Sequence, residues 1–173
     1  MTAAALQVSG FDEQTAVAVD LGRWVHLAQL VLREERVDPD AELGLIFVDE
    51  PTITDLNAQF LDGEGPTDVL AFPIDEGGRV PGRDPDEGGR GPGSPADAAE
   101  PPIVLGDVVV CPTIAVGQAA VRGASVDDEL ALLVVHGVLH LLEYDHAEPA
   151  EAERMRGREL ELLARFAEVD PGR

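Results

Sequence analysis

Apolar residues recur along this chain with two different periods, and the switches between them lay out the elements. Leu6 to Ser9 predicts a short strand. From Thr15 to Glu35, residues such as Leu21, Trp24, Leu27, Ala28 and Val31 form a broad apolar face at helical spacing, so an amphipathic helix is expected there, laid over a sheet. Leu43 to Val48 is continuously apolar after the turn Asp38-Pro39-Asp40 and predicts a buried strand. Pro51-Thr52-Ile53-Thr54-Asp55 carries helix-start signals, with Thr52 or Thr54 as the expected N-cap, and Gly63 and Gly65 are expected to end that helix. Val69 to Phe72 predicts another short strand, closed by Pro73.

The pattern then stops. From Asp75 to Pro102 the chain is Gly, Pro, Asp, Glu and Arg with almost no large apolar side chain, so residues 75–102 are expected to form an exposed, mobile insertion. Order resumes with a strand over Ile103 to Val110, interrupted at Gly106-Asp107, and a helix over Thr113 to Arg122 ended by Gly123. Ser125 reads as an N-cap, and Asp127, Asp128 and Glu129 stand against the positive end of the helix dipole. The long apolar helix that follows is expected to run to about Leu142. A charged amphipathic helix from Pro149 to about Phe166 completes the chain, packing through Leu160, Leu162, Leu163 and Phe166.

The length, 173 residues, fits a single domain with one core, and a 45% apolar content is that of a globular protein. With few aromatics, that core must rest on Leu, Val, Ile and Ala. The formal net charge of −22 argues against a surface that attracts phosphates as a whole, so any nucleic-acid site must be local. All the basic residues are arginine. One cysteine, Cys111, excludes an intramolecular disulfide and a thiolate metal cluster, and fits a reducing compartment. There is no basic and apolar leader at the N-terminus and no run of about 18 apolar residues, so a soluble, cytoplasmic protein without membrane partners is expected.

Chemistry concentrates in the segment from His136 to His146, which holds three of the four histidines. At 3.6 residues per turn, His136 and His140 stack on one helix face, where both imidazoles reach a common ion; this is the spacing of a zincin half-site. A straight helix would carry His146 away from the pair. A break near Glu143 or Tyr144 would let it fold back as a third ligand, leaving an open fourth position, the mark of a catalytic rather than a structural zinc site. Three imidazoles without thiolates suit zinc, which brings a bound water to a pKa near ~7. Asp145 is placed to orient an imidazole from behind. By contrast, His26 has no ligand-spaced partner and reads as a packing residue, as does Cys111.

The block His136-Gly137-Val138-Leu139-His140-Leu141-Leu142-Glu143-Tyr144-Asp145-His146 resembles the H-G-x-L-H-L-x-G-Y-D-H signature of the YbeY family of ribosomal RNA maturation factors. Two further stretches resemble the same family: Leu56 to Phe60 followed by Pro66 to Pro73, and Leu105 to Val109. The resemblance implies an α+β, zincin-like single domain, with a mixed four-stranded sheet packed with about five helices and one zinc ion held by His136, His140 and His146. It also implies single-strand-specific endoribonuclease activity in 16S rRNA 3′ end maturation and ribosome quality control, alongside the small ribosomal subunit and the Era GTPase. By motif match, Asn57, Thr67 and Asp68 are expected in the cleft and, with His136, in the catalytic set.

Two departures from the family pattern change the picture. Many members carry an activity-linked Arg where this chain has Leu61, so Arg79, Arg83, Arg90 or Arg122 must replace it or the activity is weak. Glu143 stands where the signature has Gly; a left-handed residue there would cost on the order of 1 kcal/mol, so a differently shaped turn is expected, with Glu143 either a solvated acid or a carboxylate near the metal. Two other functions fit parts of the pattern. A metallopeptidase shares the histidine spacing, but Gly137 occupies the position of its general-base Glu. A non-catalytic small-subunit assembly factor would suit the acidic charge and Leu61.

Overall fold

The computed structural model describes residues 6–74 and 102–170, so nearly all of the expected insertion at 75–102 lies outside the described residues, together with Arg79, Arg83 and Arg90. Four strands, β1 (Gln7–Asp12), β2 (Ala41–Phe47), β3 (Val69–Pro73) and β4 (Ile103–Val110), are joined with five helices. These are α1 (Leu21–Glu34), α2 (Glu50–Leu61), α3 (Pro112–Arg122), α4 (Val126–Leu141) and α5 (Pro149–Val169). The sheet runs in the order β1-β2-β4-β3; β1, β2 and β4 are parallel and β3 lies antiparallel on the β4 edge. This is the expected α+β domain with a mixed four-stranded sheet.

Strand β2 explains how the sheet is buried on both sides. Leu43, Leu45 and Phe47 enter the main core with α1, α4 and α5, while Ile46 turns to a smaller cluster that includes Ile53 and Leu56 of α2. A strand covered on both faces reads as a continuous apolar run, which is why its alternation is not visible in composition. Gly106 marks the interruption of β4: the pairing of β2 with β4 skips Leu105. The backbone φ at Gly106 is 132°, and a Cβ there would lie 2.1 Å from the carbonyl oxygen of Phe72, so only glycine fits.

Two helix starts differ from expectation, each because a nearer side chain captures the first turn. The first helix begins at Leu21 rather than Thr15, since the Asp20 carboxylate accepts from Arg23 N at 3.2 Å. Upstream, the Gln14 amide accepts from Val17 N (3.0 Å) and donates to Val17 O (2.8 Å), tying that segment into a loop. In α2 the N-cap is Asp49, which accepts from Thr52 N at 2.9 Å; Thr52 and Thr54 lie inside the helix. That helix ends at Leu61 with Asp62 in the left-handed region, ahead of Gly63. Ser125 caps α4 as expected, accepting from Asp128 N at 3.0 Å.

Helix α4 is central to the domain, packing on α1, α3, α5, β3 and β4. It approaches the sheet tightly at Gly137, where a Cβ would meet Val108 Cγ1 at 2.5 Å and Val69 Cγ2 at 3.0 Å. No helix among the described residues is long and apolar enough to cross a membrane.

Candidate metal centre

The last two turns of α4 present His136 and His140 on one face, with Nε2 atoms 3.0 Å apart. After Leu141 the helix closes on a Schellman motif. Tyr144 N donates to Leu139 O and Glu143 N to His140 O, both at 3.1 Å, with Glu143 left-handed at φ 68°. The turn therefore keeps the glycine-type geometry despite its glutamate, which corrects the expectation of a different shape. Glu143 is exposed and is not among the metal-competent groups, so the solvated acid is what the fold holds.

This turn sends His146 back over the helix. Its ring centroid stands 4.9 Å from that of His140 and 5.9 Å from that of His136. One ligand nitrogen from each of the three residues lies within 4.8 Å of the others. Tetrahedral zinc with Zn–N bonds of about 2.0–2.1 Å separates its nitrogens by roughly 3.4 Å. The helical pair is already close to that spacing, and exposed His146 must close the remaining gap. Three imidazoles without a thiolate are a donor set that fits zinc, so the residues suit the metal that the family resemblance implies.

Electrostatics favour the neutral ligand form at the middle residue. Burial pushes the His140 imidazole below its ordinary value, and the neighbouring His136 and His146 push it further in the same direction. Asp145 does not orient an imidazole. Its Oδ1 accepts from His146 N (2.6 Å) and Ala147 N (3.1 Å) and stands 3.9 Å from His146 Nδ1, so it shapes the loop instead. These backbone bonds also hold its carboxyl below the usual range.

The orienting carboxylate is one that the motif did not reveal. Glu159 of α5 is buried, and its Oε1 lies 2.6 Å from His136 Nδ1. The signal was present: Met155, Glu159, Leu162 and Phe166 form the buried stripe of α5, and a carboxylate on an apolar stripe needs a partner. Its neighbour Arg158 makes an ion pair with Glu35, which also accepts from the Tyr144 hydroxyl at 2.8 Å. Burial and that bond raise the Tyr144 phenol, and Glu35 and Glu161 raise the Arg158 guanidinium.

A cavity of about 370 Å³ opens beside His136, lined also by Asp68, Arg122, Glu129, Arg156 and Glu159. Asp68 is therefore brought to the site; its carboxylate accepts from Val69 N (2.8 Å), Gln118 Nε2 (3.0 Å) and Thr67 Oγ1 (3.3 Å). Neither Thr67 nor Asn57 lines this cavity. The Asn57 side chain donates to Gly65 O at 3.0 Å, and the Asn57 backbone carbonyl accepts from Gly63 N, so this residue closes the loop that leads to Thr67 and Asp68. Arg122 stands 3.4 Å from the buried carboxylate of Glu129 and keeps over half of its side chain exposed. Leu61 is exposed and outside the cavity, while His26 packs against Phe166 with centroids 6.5 Å apart.

Comparison with known proteins gives a consistent result. The family model described as Endoribonuclease YbeY matches residues 10–167. A relative named Endoribonuclease YbeY from Beutenbergia cavernae is 45% identical over 155 residues, covering 90% of this chain and 94% of its own. Another of the same name from Leifsonia xyli subsp. xyli is 42% identical over 159 residues, covering 92% and 95%. The solution structure of TM1509 from Thermotoga maritima matches with a TM-score of 0.55 at 24% identity, covering 96% of this chain and 99% of that one, a likeness of fold.

Proposed function

This chain belongs to the Endoribonuclease YbeY family, and from that premise we propose that it is a zinc-dependent, single-strand-specific endoribonuclease acting in 16S rRNA 3′ end maturation and ribosome quality control. The observation that carries the reading is the convergence of His136, His140 and His146, of which His136 also lines a cavity shared by Arg122, Arg156 and the carboxylates of Asp68, Glu129 and Glu159. Zinc, when bound, supplies a Lewis acid that offsets charge gathering on the phosphoryl oxygens.

The chain's own residues do the rest. Arg122 and Arg156 offer donors to the phosphodiester in the cavity, taking the place of an Arg at Leu61. Asp68, which lines the cavity with His136 and is fixed by Gln118, accepts from a ribose hydroxyl in this reading. Thr67 steadies Asp68, and Asn57 closes the loop that delivers both. In this reading the protein works in the cytoplasm with the small ribosomal subunit and the Era GTPase. A peptidase is disfavoured by packing as well as chemistry: Val108 and Val69 leave no room for a glutamate at Gly137.

The test is cleavage of single-stranded and duplex RNA by zinc-loaded protein, chelator-stripped protein and His140→Ala. Loaded protein should cut the single strand, and both other forms should lose at least about 100-fold, since the metal contributes several kcal/mol. Intact RNA with fully loaded protein would overturn the nuclease and favour the assembly factor, a reading for which the net charge of −22 speaks.

A further inference from the structure

We propose that Glu159 is the positioning residue of the metal centre, selecting the tautomer and ring orientation of His136 that leave Nε2 directed at the ion. The inference rests on the reading of His136 as a ligand, but not on what the centre cleaves.

An imidazole binds a metal through one nitrogen only if the other carries the proton. In His136, Nε2 faces His140 Nε2 at 3.0 Å, while Nδ1 faces Glu159 Oε1 at 2.6 Å. An ionised carboxylate can only accept, so this contact fixes the hydrogen on Nδ1 and frees the Nε2 lone pair. Glu159 sits on the same buried stripe as Met155, Leu162 and Phe166, and its carboxylate meets His136 there. Burying a carboxylate there carries a desolvation penalty that the His136 contact offsets. The placement also makes α5, which contributes no ligand of its own, the element that aligns the first ligand of α4.

A merely structural tie between α5 and α4 would survive Glu159→Gln, since the amide can still bond to Nδ1. It would do so either as acceptor or as donor, and tautomer selection would be lost. Zinc affinity by competition with a chromophoric chelator should therefore fall about 10- to 100-fold in Glu159→Gln, while Glu153→Gln, an exposed position on the same helix, should stay within about twofold. Nitrogen-15 NMR of the metal-free wild type should show His136 as the Nδ1–H form, and the variant should populate Nε2–H. Unchanged affinity in a folded Glu159→Gln, or an Nε2–H tautomer in the wild type, would overturn the proposal. The wild-type spectrum decides even if the variant does not fold. Neither readout involves RNA, so this inference and the nuclease reading fail separately.

Discussion

Glu143 carries a left-handed φ of 68° with its side chain in solvent, so it holds strain without visible compensation. A non-glycine residue there costs roughly 1–2 kcal/mol, of which glycine's looser unfolded state returns roughly 0.4–1 kcal/mol. Glu143→Gly should thus raise stability by up to about 1 kcal/mol in urea unfolding and leave zinc affinity within about twofold; a loss of stability would mean that the carboxylate itself holds the turn. The histidine before this turn makes a pH prediction. Burial lowers the folded His140 below its ordinary 6.5, so between the two values the unfolded chain binds the extra proton. Metal-free protein should then lose stability progressively as pH falls from about 6.5 through the lowered value, and gain nothing further above about 6.5. Urea midpoints across that range should show a smaller slope in His140→Ala, and equal slopes would assign the effect to other groups.

At the level of elements, the helix that carries His136 and His140 packs tightly on the sheet at Gly137. Gly137→Ala places a methyl 2.5 Å from Val108 Cγ1; overpacking costs about 1–3 kcal/mol, against about 1 kcal/mol gained in helix propensity. A net loss near 1 kcal/mol is expected in denaturant unfolding, relieved by adding Val108→Ala. A non-additive double-mutant cycle would confirm the contact, and additive losses would contradict it. The same helix shows what the sequence made legible. Its cap at Ser125, its stacked pair His136 and His140 and the need for a turn before His146 all follow from short-range periodicity and are found in the fold. Periodicity also places the elements, but it overextended α1 to Thr15, because apolar spacing does not register that Gln14 and Asp20 satisfy the backbone first. It can set Glu159 on the buried stripe of α5 but cannot name its partner, His136, which lies on another helix. A motif names ligands that are close in sequence; the group behind them is fixed by tertiary packing of α5 on α4.

For the whole molecule, the net charge of −22 and a local site for RNA pull in opposite directions. At low ionic strength, where the Debye length reaches about 30 Å at 0.01 M, the acidic surface as a whole repels an approaching strand. Near 0.1 M this repulsion is screened beyond about 10 Å, while on the proposed reading Arg122 and Arg156 in the cavity beside His136 would still meet the phosphates directly. Two phosphate contacts to a single strand give a slope of log affinity against log salt of about −1.4. Adding the screened repulsion, which has the opposite sign, makes the measured slope shallower than that value. Association with a short single strand should even quicken as salt is first added from about 0.01 M. Stopped-flow association rates and fluorescence-anisotropy titrations over that range would show both effects. A slope of about −4 or steeper corresponds to six or more phosphate contacts, which the two arginines of the cavity cannot supply, and it would move the binding surface away from the His136 cavity. The salt response therefore tests whether this acidic protein meets RNA through the His136 cavity, where Arg122 and Arg156 stand together.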